Sequence, residues 1–514
     1  MQSLIKKILN ARVYDVAVKS PLEPMPRLSA RLNNNIYLKR EDLQPVFSFK
    51  LRGAYNRMSR LTDAEKIVGV ICASAGNHAQ GVSLAAQRMG LRALIVMPHC
   101  TPPIKIQAVK RLGGEVLLHG EAFDDAYARA RELEKELGLT FIHPFDDEDV
   151  IAGQGTIAME LFEQHPDLNA IFVPVGGGGL AAGIAAYAKF LRPDVKVIGV
   201  EPVDAASMHD SLAAGKRLAL PRVGVFADGV AVREPGLLTF ELCGALLDEI
   251  ILVNTDEICA AIKDIFNNNR AIAEPAGALA AAGAKKYLTR EKLCGLDVVA
   301  VNSGANINFD RLRHVAERAE IGEAHEALFA VTIPEEPGAY KRLINTLGDR
   351  YVTEFNYRYS NAGQAHIFIG LQTAGGLAEQ DGIQIMLRDN GYTVSNLSDN
   401  EIAKLHIRYM VGGNAPGLRN ERLFHFEFPE HQGALLKFLD SLSTAWNISL
   451  FHYRNHGSDY GRVLCGLQAP QEDNQILVAA LDKLGYAYRE ETHNPAYRFF
   501  LGCNPPSLRG SRFK

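Results

Sequence analysis

Nineteen consecutive residues, Ala170 to Ala188, carry no charged side chain, a length that raises the question of a membrane-spanning helix. Pro174 and four consecutive glycines, Gly176 to Gly179, interrupt the run. Each interior glycine costs about 1 kcal/mol of helix stability relative to alanine, and proline about 3 kcal/mol. The stretch therefore predicts a buried strand, a glycine loop and an alanine-rich helix. The same alternation recurs through the first three hundred residues, with apolar runs at Ile67–Cys72, Ala93–Met97, Ile171–Val175, Val195–Val200 and Val298–Val301. Near-continuous hydrophobic strands between helices predict an α/β fold whose parallel sheets are covered on both faces. Such sheets bind ligands at the carboxyl ends of their strands. Small and polar residues gather at those ends: Ser74-Ala-Gly-Asn-His, Gly176-Gly-Gly-Gly-Leu180 and Asn302-Ser-Gly-Ala-Asn.

Length and charge narrow the class of partner. A chain of 514 residues has room for roughly three to four domains. Lys+Arg 55 against Asp+Glu 59 leaves a formal charge of -4, which offers no basic footprint, so neither nucleic acid nor membrane is expected as a partner. Seven cysteines without a C-x-x-C pair argue against a disulfide scaffold or zinc ribbon and for a reducing, cytoplasmic setting. The N-terminal segment places Lys6 and Lys7 inside a short apolar pattern, and neither a signal nor a transit peptide is expected.

The last third of the chain repeats itself. Phe329-Ala-Val-Thr-Ile-Pro-Glu-Glu-Pro-Gly-Ala aligns with Phe424-His-Phe-Glu-Phe-Pro-Glu-His-Gln-Gly-Ala at a shift of 95. Phe355-Asn-Tyr-Arg then aligns with Phe451-His-Tyr-Arg, and Gly370-Leu-Gln with Gly466-Leu-Gln, at a shift of 96. Three matched blocks in order predict two copies of a strand–helix–strand–strand unit, each helix starting near its Gly-Ala. The charged segment Asp310 to Glu320 reads as a helix leaving the preceding domain.

Four segments carry candidate chemistry, and each has a plainer reading. Lys50, in Phe47-Ser-Phe-Lys-Leu-Arg-Gly-Ala, is flanked by apolar residues that favour a neutral amine and Schiff-base chemistry; alternatively it snorkels from an amphipathic helix. Ser74 to Gly81 follows a buried strand and can receive a small anion at a helix N-terminus, or Ser74 simply caps the helix. Gly176 to Leu180 can converge several N–H donors on a phosphate, or serve close packing. Gly176, Gly178 and Ala181 also satisfy a dinucleotide fingerprint, with Glu201 where a ribose-binding acid belongs. Ser303 can face a ring nitrogen, or sit in a polar turn. His452 and His456 have the i, i+4 spacing of a helical metal pair, but their Tyr/Phe-rich surroundings predict a strand edge or turn. Cys72 reads as a small buried hydrophobe.

Together and in order, these segments resemble the fold type II family of pyridoxal phosphate enzymes, and within it the biosynthetic threonine ammonia-lyases. Leu22-Glu-Pro-Met-Pro-Arg-Leu-Ser, Tyr37-Leu-Lys-Arg-Glu-Asp and Ala273-Glu-Pro-Ala-Gly-Ala add to the likeness. The resemblance implies a two-lobed catalytic domain over residues 1–320, with a small lobe at roughly 40–135. Two α+β ACT-like regulatory domains would follow at 327–400 and 422–495. It implies pyridoxal 5'-phosphate as cofactor, held covalently by the catalytic Lys50. Asn77 would bind its ring oxygen, Gly176, Gly177, Gly178, Gly179 and Leu180 its phosphate, and Ser303 its pyridine nitrogen. Ser74, Ala75, Gly76 and Asn77 would hold the substrate carboxylate. The implied reaction is deamination of L-threonine, and also of L-serine, with isoleucine and valine as effectors of a homotetramer. Some relatives place a metal near Glu201, but Ser207 stands where an acidic ligand would be expected, and no metal is assigned. A serine/threonine racemase or other lyase of the same fold, a nicotinamide-dependent oxidoreductase, and an amino-acid sensor with an inert catalytic domain are the alternatives.

Overall fold

The computed structural model describes residues 1–309, 311–359, 363–410, 412–413, 415, 418–429, 434–442, 446–454, 460–494, 497 and 501. The chain divides into two units, Met1–Gly322 and Glu323–Lys514.

The first unit is built on two sheets. The larger has the strand order Leu22–Pro24, Asn35–Arg40, Asp297–Asn302, Ala170–Pro174, Lys196–Pro202, Glu249–Val253. All its pairings are parallel except that of the edge strand Leu22–Pro24. Side chains alternate across the pleat. Phe172, Ile198, Val200, Val298 and Ala300 are buried against Ile262 and Leu279 of the helices Thr255–Asn269 and Pro275–Glu291. Ile171, Val173, Val197, Val299 and Val301 are buried against Leu161 and Ile184 of the helices Glu148–Gln164 and Gly179–Leu191. Both faces are covered, which is why these strands read as unbroken apolar runs. The smaller sheet is wholly parallel, in the order Glu115–Leu118, Ala93–Met97, Val70–Ala73, Thr140–Phe141.

The uncharged run resolves into the strand Ala170–Pro174 and the helix Gly179–Leu191. Among the described residues no helix is long and apolar enough to cross a membrane. The run Ile67–Cys72 is not one element. Ile67 and Val68 close the helix Asp63–Val68, started by a Thr62–Glu65 capping box, and Gly69 at φ +101 breaks the chain before the strand Val70–Ala73. Ile67 is 85% exposed, an apolar residue at a surface position that hydrophobicity alone cannot tell from the start of a strand. The charged segment near residue 310 forms a helix. The helix Arg311–Gly322 is the last element of the first unit and packs on it: Val315 and Ala319 are buried with Ile258 and Ile262, and Lys263 pairs with Glu320 at 2.6 Å.

Each repeat copy is longer than the matched blocks implied. The first runs Glu326–Pro334, Ala339–Leu347, Val352–Arg358, Gln364–Gln372, Gly376–Asp389, Thr393–Asn396, and the second follows the same order from Glu421–Pro429 to Ala487–Glu490. Each is therefore a β-α-β-β-α-β unit, the final helix and strand having diverged beyond the matched blocks. The copies share one antiparallel eight-stranded sheet, because Val352–Arg358 pairs with Asn447–Arg454 from Glu354↔Arg454 to Arg358↔Leu450. Pairing them satisfies backbone groups that two separate domains would expose, and Phe355 meets Phe451 edge-on at 5.4 Å across the seam. The outermost strands, Thr393–Asn396 and Ala487–Glu490, have only four residues each, which limits further edge pairing. His452 lies in an interior strand, opposite Asn356 and Leu464, rather than at an edge; His456 is outside the described residues.

Candidate active site

Lys50 is the first residue of the helix Lys50–Met58. Two residues on, Arg52 reaches into a closed ionic group: its guanidinium donates to Glu41 at 2.8 Å and to Glu160 at 2.6 Å. Lys39 donates to Glu160 at 2.7 Å. None of the four side chains is more than 1% exposed. Two positive and two negative charges cancel there, and the start of the helix is held to the larger sheet and to the helix Glu148–Gln164.

The Lys50 amine donates to the carbonyl of Pro144 at 2.8 Å and lies 5.4 Å from the centre of the Phe49 ring. Loss of hydration lowers its pKa to about 8, so a substantial fraction is neutral near physiological pH. Two neighbouring histidines add no charge. Burial depresses His78 to about 3 and His143 to about 4, and the His143 Nδ1 accepts the N–H of Asp146 at 2.8 Å.

Phe145 connects the lysine to the glycine loop. A Cβ on Gly177 would stand 2.3 Å from the Phe145 ring, and one on Gly179 would stand 2.9 Å from its carbonyl. A Cβ on Gly176 would meet the Val230 backbone at 2.9 Å, and Gly178 has φ +91. Side chains are excluded on every side, while the first-turn N–H groups of the helix Gly179–Leu191 lack intrahelical acceptors. The Thr239 hydroxyl ties the loop down by donating to the Gly177 carbonyl at 2.6 Å. Loop and helix end form an anion cradle.

The remaining segments close on the same place. The Phe49 N–H donates to the Ser303 carbonyl at 3.2 Å, Ser48 bridges Gly304, and a Cβ on Gly81 would meet the Lys50 carbonyl carbon at 3.1 Å. Ser303 is buried, its hydroxyl donating to the Ala276 carbonyl at 3.3 Å. The Ser74 hydroxyl accepts the N–H groups of Gly76 at 3.2 Å and Ala79 at 3.3 Å, a capping role at the start of the helix Asn77–Met89. A Cβ on Gly76 would have nothing within 4 Å, so space is open at that residue of the half-buried turn. Asn77 donates to Glu274 at 2.6 Å and accepts from Asn306 at 2.7 Å.

Phe145, Glu274 and Asn306 were not anticipated. Glu274 precedes Pro275 at a helix start, where an acid suggests only a cap; its partner Asn77 is 197 positions away. Asn306 lies within a segment already singled out, and Phe145 has no local signal.

Glu201 answers the dinucleotide alternative. Its carboxylate accepts the N–H groups of Met208 at 3.0 Å and His209 at 2.8 Å, and the residue is fully buried. Both oxygens are used inside the fold, leaving none to face a ribose. Among the described residues, no group of three or more His, Cys, Asp or Glu is arranged to hold a metal ion.

Comparison with known proteins places this geometry. Residues 13–304 match the family model for pyridoxal-phosphate dependent enzymes. Residues 317–407 and 412–501 each match the model for the C-terminal regulatory domain of threonine dehydratase. The biosynthetic L-threonine dehydratase of Burkholderia multivorans is 58% identical over 501 residues, which is 97% of this chain and 99% of that one. The processed form of threonine deaminase isoform 2 from Solanum lycopersicum is similar in structure, with TM-score 0.61 and 53% identity over 62% of this chain and 93% of that one. Maize serine racemase is similar in shape to a slightly lesser extent, with TM-score 0.57, and at 31% identity over 61% of this chain and 96% of that one. The catalytic fold alone therefore does not choose between lyase and racemase, whereas the paired C-terminal match does.

Proposed function

The chain belongs to the biosynthetic threonine dehydratases, pyridoxal-phosphate dependent lyases with a C-terminal regulatory domain, and on that premise we propose which residues carry its reaction and its regulation. The reaction is the deamination of L-threonine to 2-oxobutanoate and ammonia, a step toward isoleucine, and L-serine is the second substrate we assign. The residues present fit the cofactor. An amine held among protein groups is joined through Pro144 and Phe145 to a loop whose Cβ positions are all filled, parts that suit a covalently held aldehyde with a phosphate arm. When bound, pyridoxal 5'-phosphate supplies a carbonyl that condenses with amines and a ring that draws electrons from the substrate's α-carbon.

The protein's own groups do the rest. Lys50 would hold the cofactor, and its amine is the group suited to take the α-proton of the substrate, with a pKa brought down to about 8. The N–H groups from Gly176 to Leu180 hold the phosphate. The Ser74-Ala75-Gly76 turn and Asn77 hold the substrate carboxylate at the N-terminus of the helix Asn77–Met89, and Asn77 also meets the ring oxygen. The observation that carries this reading is the contact chain from the Lys50 amine through Pro144 and Phe145 to Gly177 and Gly179. The purified protein should show a visible absorption band that borohydride removes, and should release 2-oxo acid from L-threonine. A band without 2-oxo acid release would mean a racemase or an inert sensor.

Ser303 sets the reaction's outcome. Its single O–H, which here bonds the Ala276 carbonyl, would turn to the pyridine nitrogen, and a neutral hydroxyl would leave that nitrogen unprotonated, which favours elimination over transamination. Ser303→Asp is expected to lower threonine kcat by roughly tenfold and to raise side products measurably by chromatography; an unchanged product profile counts against the assignment.

Isoleucine is the inhibitor we assign to the C-terminal unit, with valine opposing it, in a homotetramer and in the cytoplasm. Allosteric coupling usually spans about 5- to 150-fold in affinity. Isoleucine should shift the apparent KM for threonine within that range in the full chain. A chain ending at Gly322 should stay active with a shift below about twofold. If the shortened enzyme still responds to isoleucine, the second unit serves assembly alone.

A further inference from the structure

Asn77 sits in a hydrogen-bond chain that can be read in only one sense. The Asn306 amide nitrogen donates to the Val46 carbonyl at 2.8 Å and to the Asn77 oxygen at 2.7 Å. A backbone carbonyl accepts only, so Asn306 must turn its NH₂ end this way. Asn77 must then present its oxygen to Asn306 and its NH₂ end to Glu274, where the bond is 2.6 Å. An ionised carboxylate also accepts only, so both ends of the chain agree. One N–H of Asn77 is thereby committed to Glu274 and the other is left to donate elsewhere.

Glu274 has little freedom of its own. It is 3% exposed, its backbone N–H donates to Gly304 at 3.1 Å, and a Cβ on Gly304 would approach its carboxyl oxygen to 2.6 Å. A Cβ on Gly229 would stand 3.4 Å from the same oxygen and 3.8 Å from the Asn77 nitrogen. Two glycines make the space that lets carboxylate and amide meet.

We infer that Glu274 is a positioning residue for the deamination: Asn306 sets which end of the Asn77 amide faces Glu274, and the Glu274 carboxylate then holds that NH₂ end by a charge-assisted bond, and so places the N–H that Asn77 offers to the cofactor's ring oxygen. The inference rests on the cofactor role proposed for Asn77. Protonation would weaken that hold, because the bond to Asn77 loses its charge assistance and the acid's own O–H competes for the same space. Burial and the nearby Asp228 push Glu274 up to about 7, against Asn77, Lys105 and the Asn306 N–H, which favour its charged form. Lys105 pairs with Asp228 at 2.6 Å, and Arg311 approaches Asp228 at 3.6 Å. Since the folded value lies above the ordinary one, the anchor is present above pH 7 and lost as pH falls through it.

The test is the dissociation constant of pyridoxal 5'-phosphate, read from the visible band, for wild type and Glu274→Gln across pH 6 to 8.5. Lys50 and the cofactor phosphate titrate in both proteins and cancel in the ratio of variant to wild type. That ratio should be about tenfold at pH 8.5, the worth of one charge-assisted hydrogen bond, and approach one at pH 6. A ratio near one at every pH overturns the inference, and so does a raised ratio that does not change with pH, which marks a merely structural role. If Glu274→Gln does not fold, the ratio of Asn77→Ala to wild type replaces it; it must narrow from pH 8.5 to pH 6, and a flat ratio overturns the inference. A wild-type protein with neither visible band nor 2-oxo acid release would instead defeat the proposed function, whatever Glu274 does.

Discussion

Lys50→Ala is expected to abolish threonine deamination, with kcat falling by at least roughly a thousandfold, because on the roles proposed for Lys50 the variant loses its general base as well as its covalent hold on the cofactor. The helix that begins at Lys50 should survive the change. Leu51, Ala54 and Met58 are buried in its core face, and alanine is the best helix former. The visible band removable by borohydride should disappear while the circular dichroism stays as in wild type. A companion result concerns pH. The neutral amine is the nucleophile, and burial brings Lys50 down from 10.5 to about 8. The rate at which cofactor-free protein takes up pyridoxal 5'-phosphate should therefore rise with pH and level off above about 8, rather than climb toward 10.5. Retention of the band in Lys50→Ala would mean that another amine holds the cofactor.

Arg52→Met is expected to cost about 3–5 kcal/mol of stability in the first unit, the usual penalty for removing one partner from a buried ion pair. The reason is what remains. Among the described residues, Glu41 and Glu160 would be left with Lys39 as the remaining buried counter-charge, at 1% exposure or less, and methionine replaces the guanidinium's bulk without its five donors. The Coulomb attraction of Arg52 and Lys39 is what holds Glu160 below the usual carboxylate range against its own burial, so the variant should also raise that carboxyl. Glu160, with a folded pKa below its unfolded one, contributes stability above the ordinary carboxylate range that is lost as pH falls. Thermal melts at pH 5 and pH 8 should show that pH dependence shrinking in the variant. Arg52→Lys keeps the charge but cannot span both carboxylates with a planar fork, and should fall between the two. Equal melting temperatures for wild type and Arg52→Met would show that the ionic group contributes nothing net. Because Lys50 lies two residues before Arg52 on one helix, a partial loss of activity with weakened cofactor binding should accompany the loss of stability.

Most of the architecture follows from local pattern. The strands Ala93–Met97, Ala170–Pro174, Lys196–Pro202 and Asp297–Asn302 were legible because a strand buried on both faces is apolar along most of its length, with polar residues such as Glu201 and Asn302 only toward its ends. The glycine loop was legible because protein atoms pack against it too closely to admit a Cβ at any of its four glycines. Exceptions arose where one residue type serves two environments. Ile67 is exposed at a helix end, although its neighbours Val70 and Ile71 are fully buried. In the helix Arg311–Gly322, Val315 and Ala319 are buried by the helix Thr255–Asn269, and a short apolar stripe among charges does not say what will cover it. The repeat was visible in its blocks, but not that both copies share one sheet, since which edge strand meets which depends on register between strands about 95 residues apart.

The candidate site divides in the same way. The sequence alone determined the chemical parts: an amine among apolar neighbours, a run of glycines after a strand, a serine after another, and an asparagine at a helix start. Only the tertiary structure decided how they are oriented. Phe145 joins Lys50 to the loop because Pro144 and Phe145 pass between them, and Asn77 is turned by Asn306 and Glu274 from 229 and 197 positions away. Hydrogen-bond direction depends on which acceptor-only group stands at each end of a chain. Such groups are brought together by packing, and their separation along the sequence carries no trace of it.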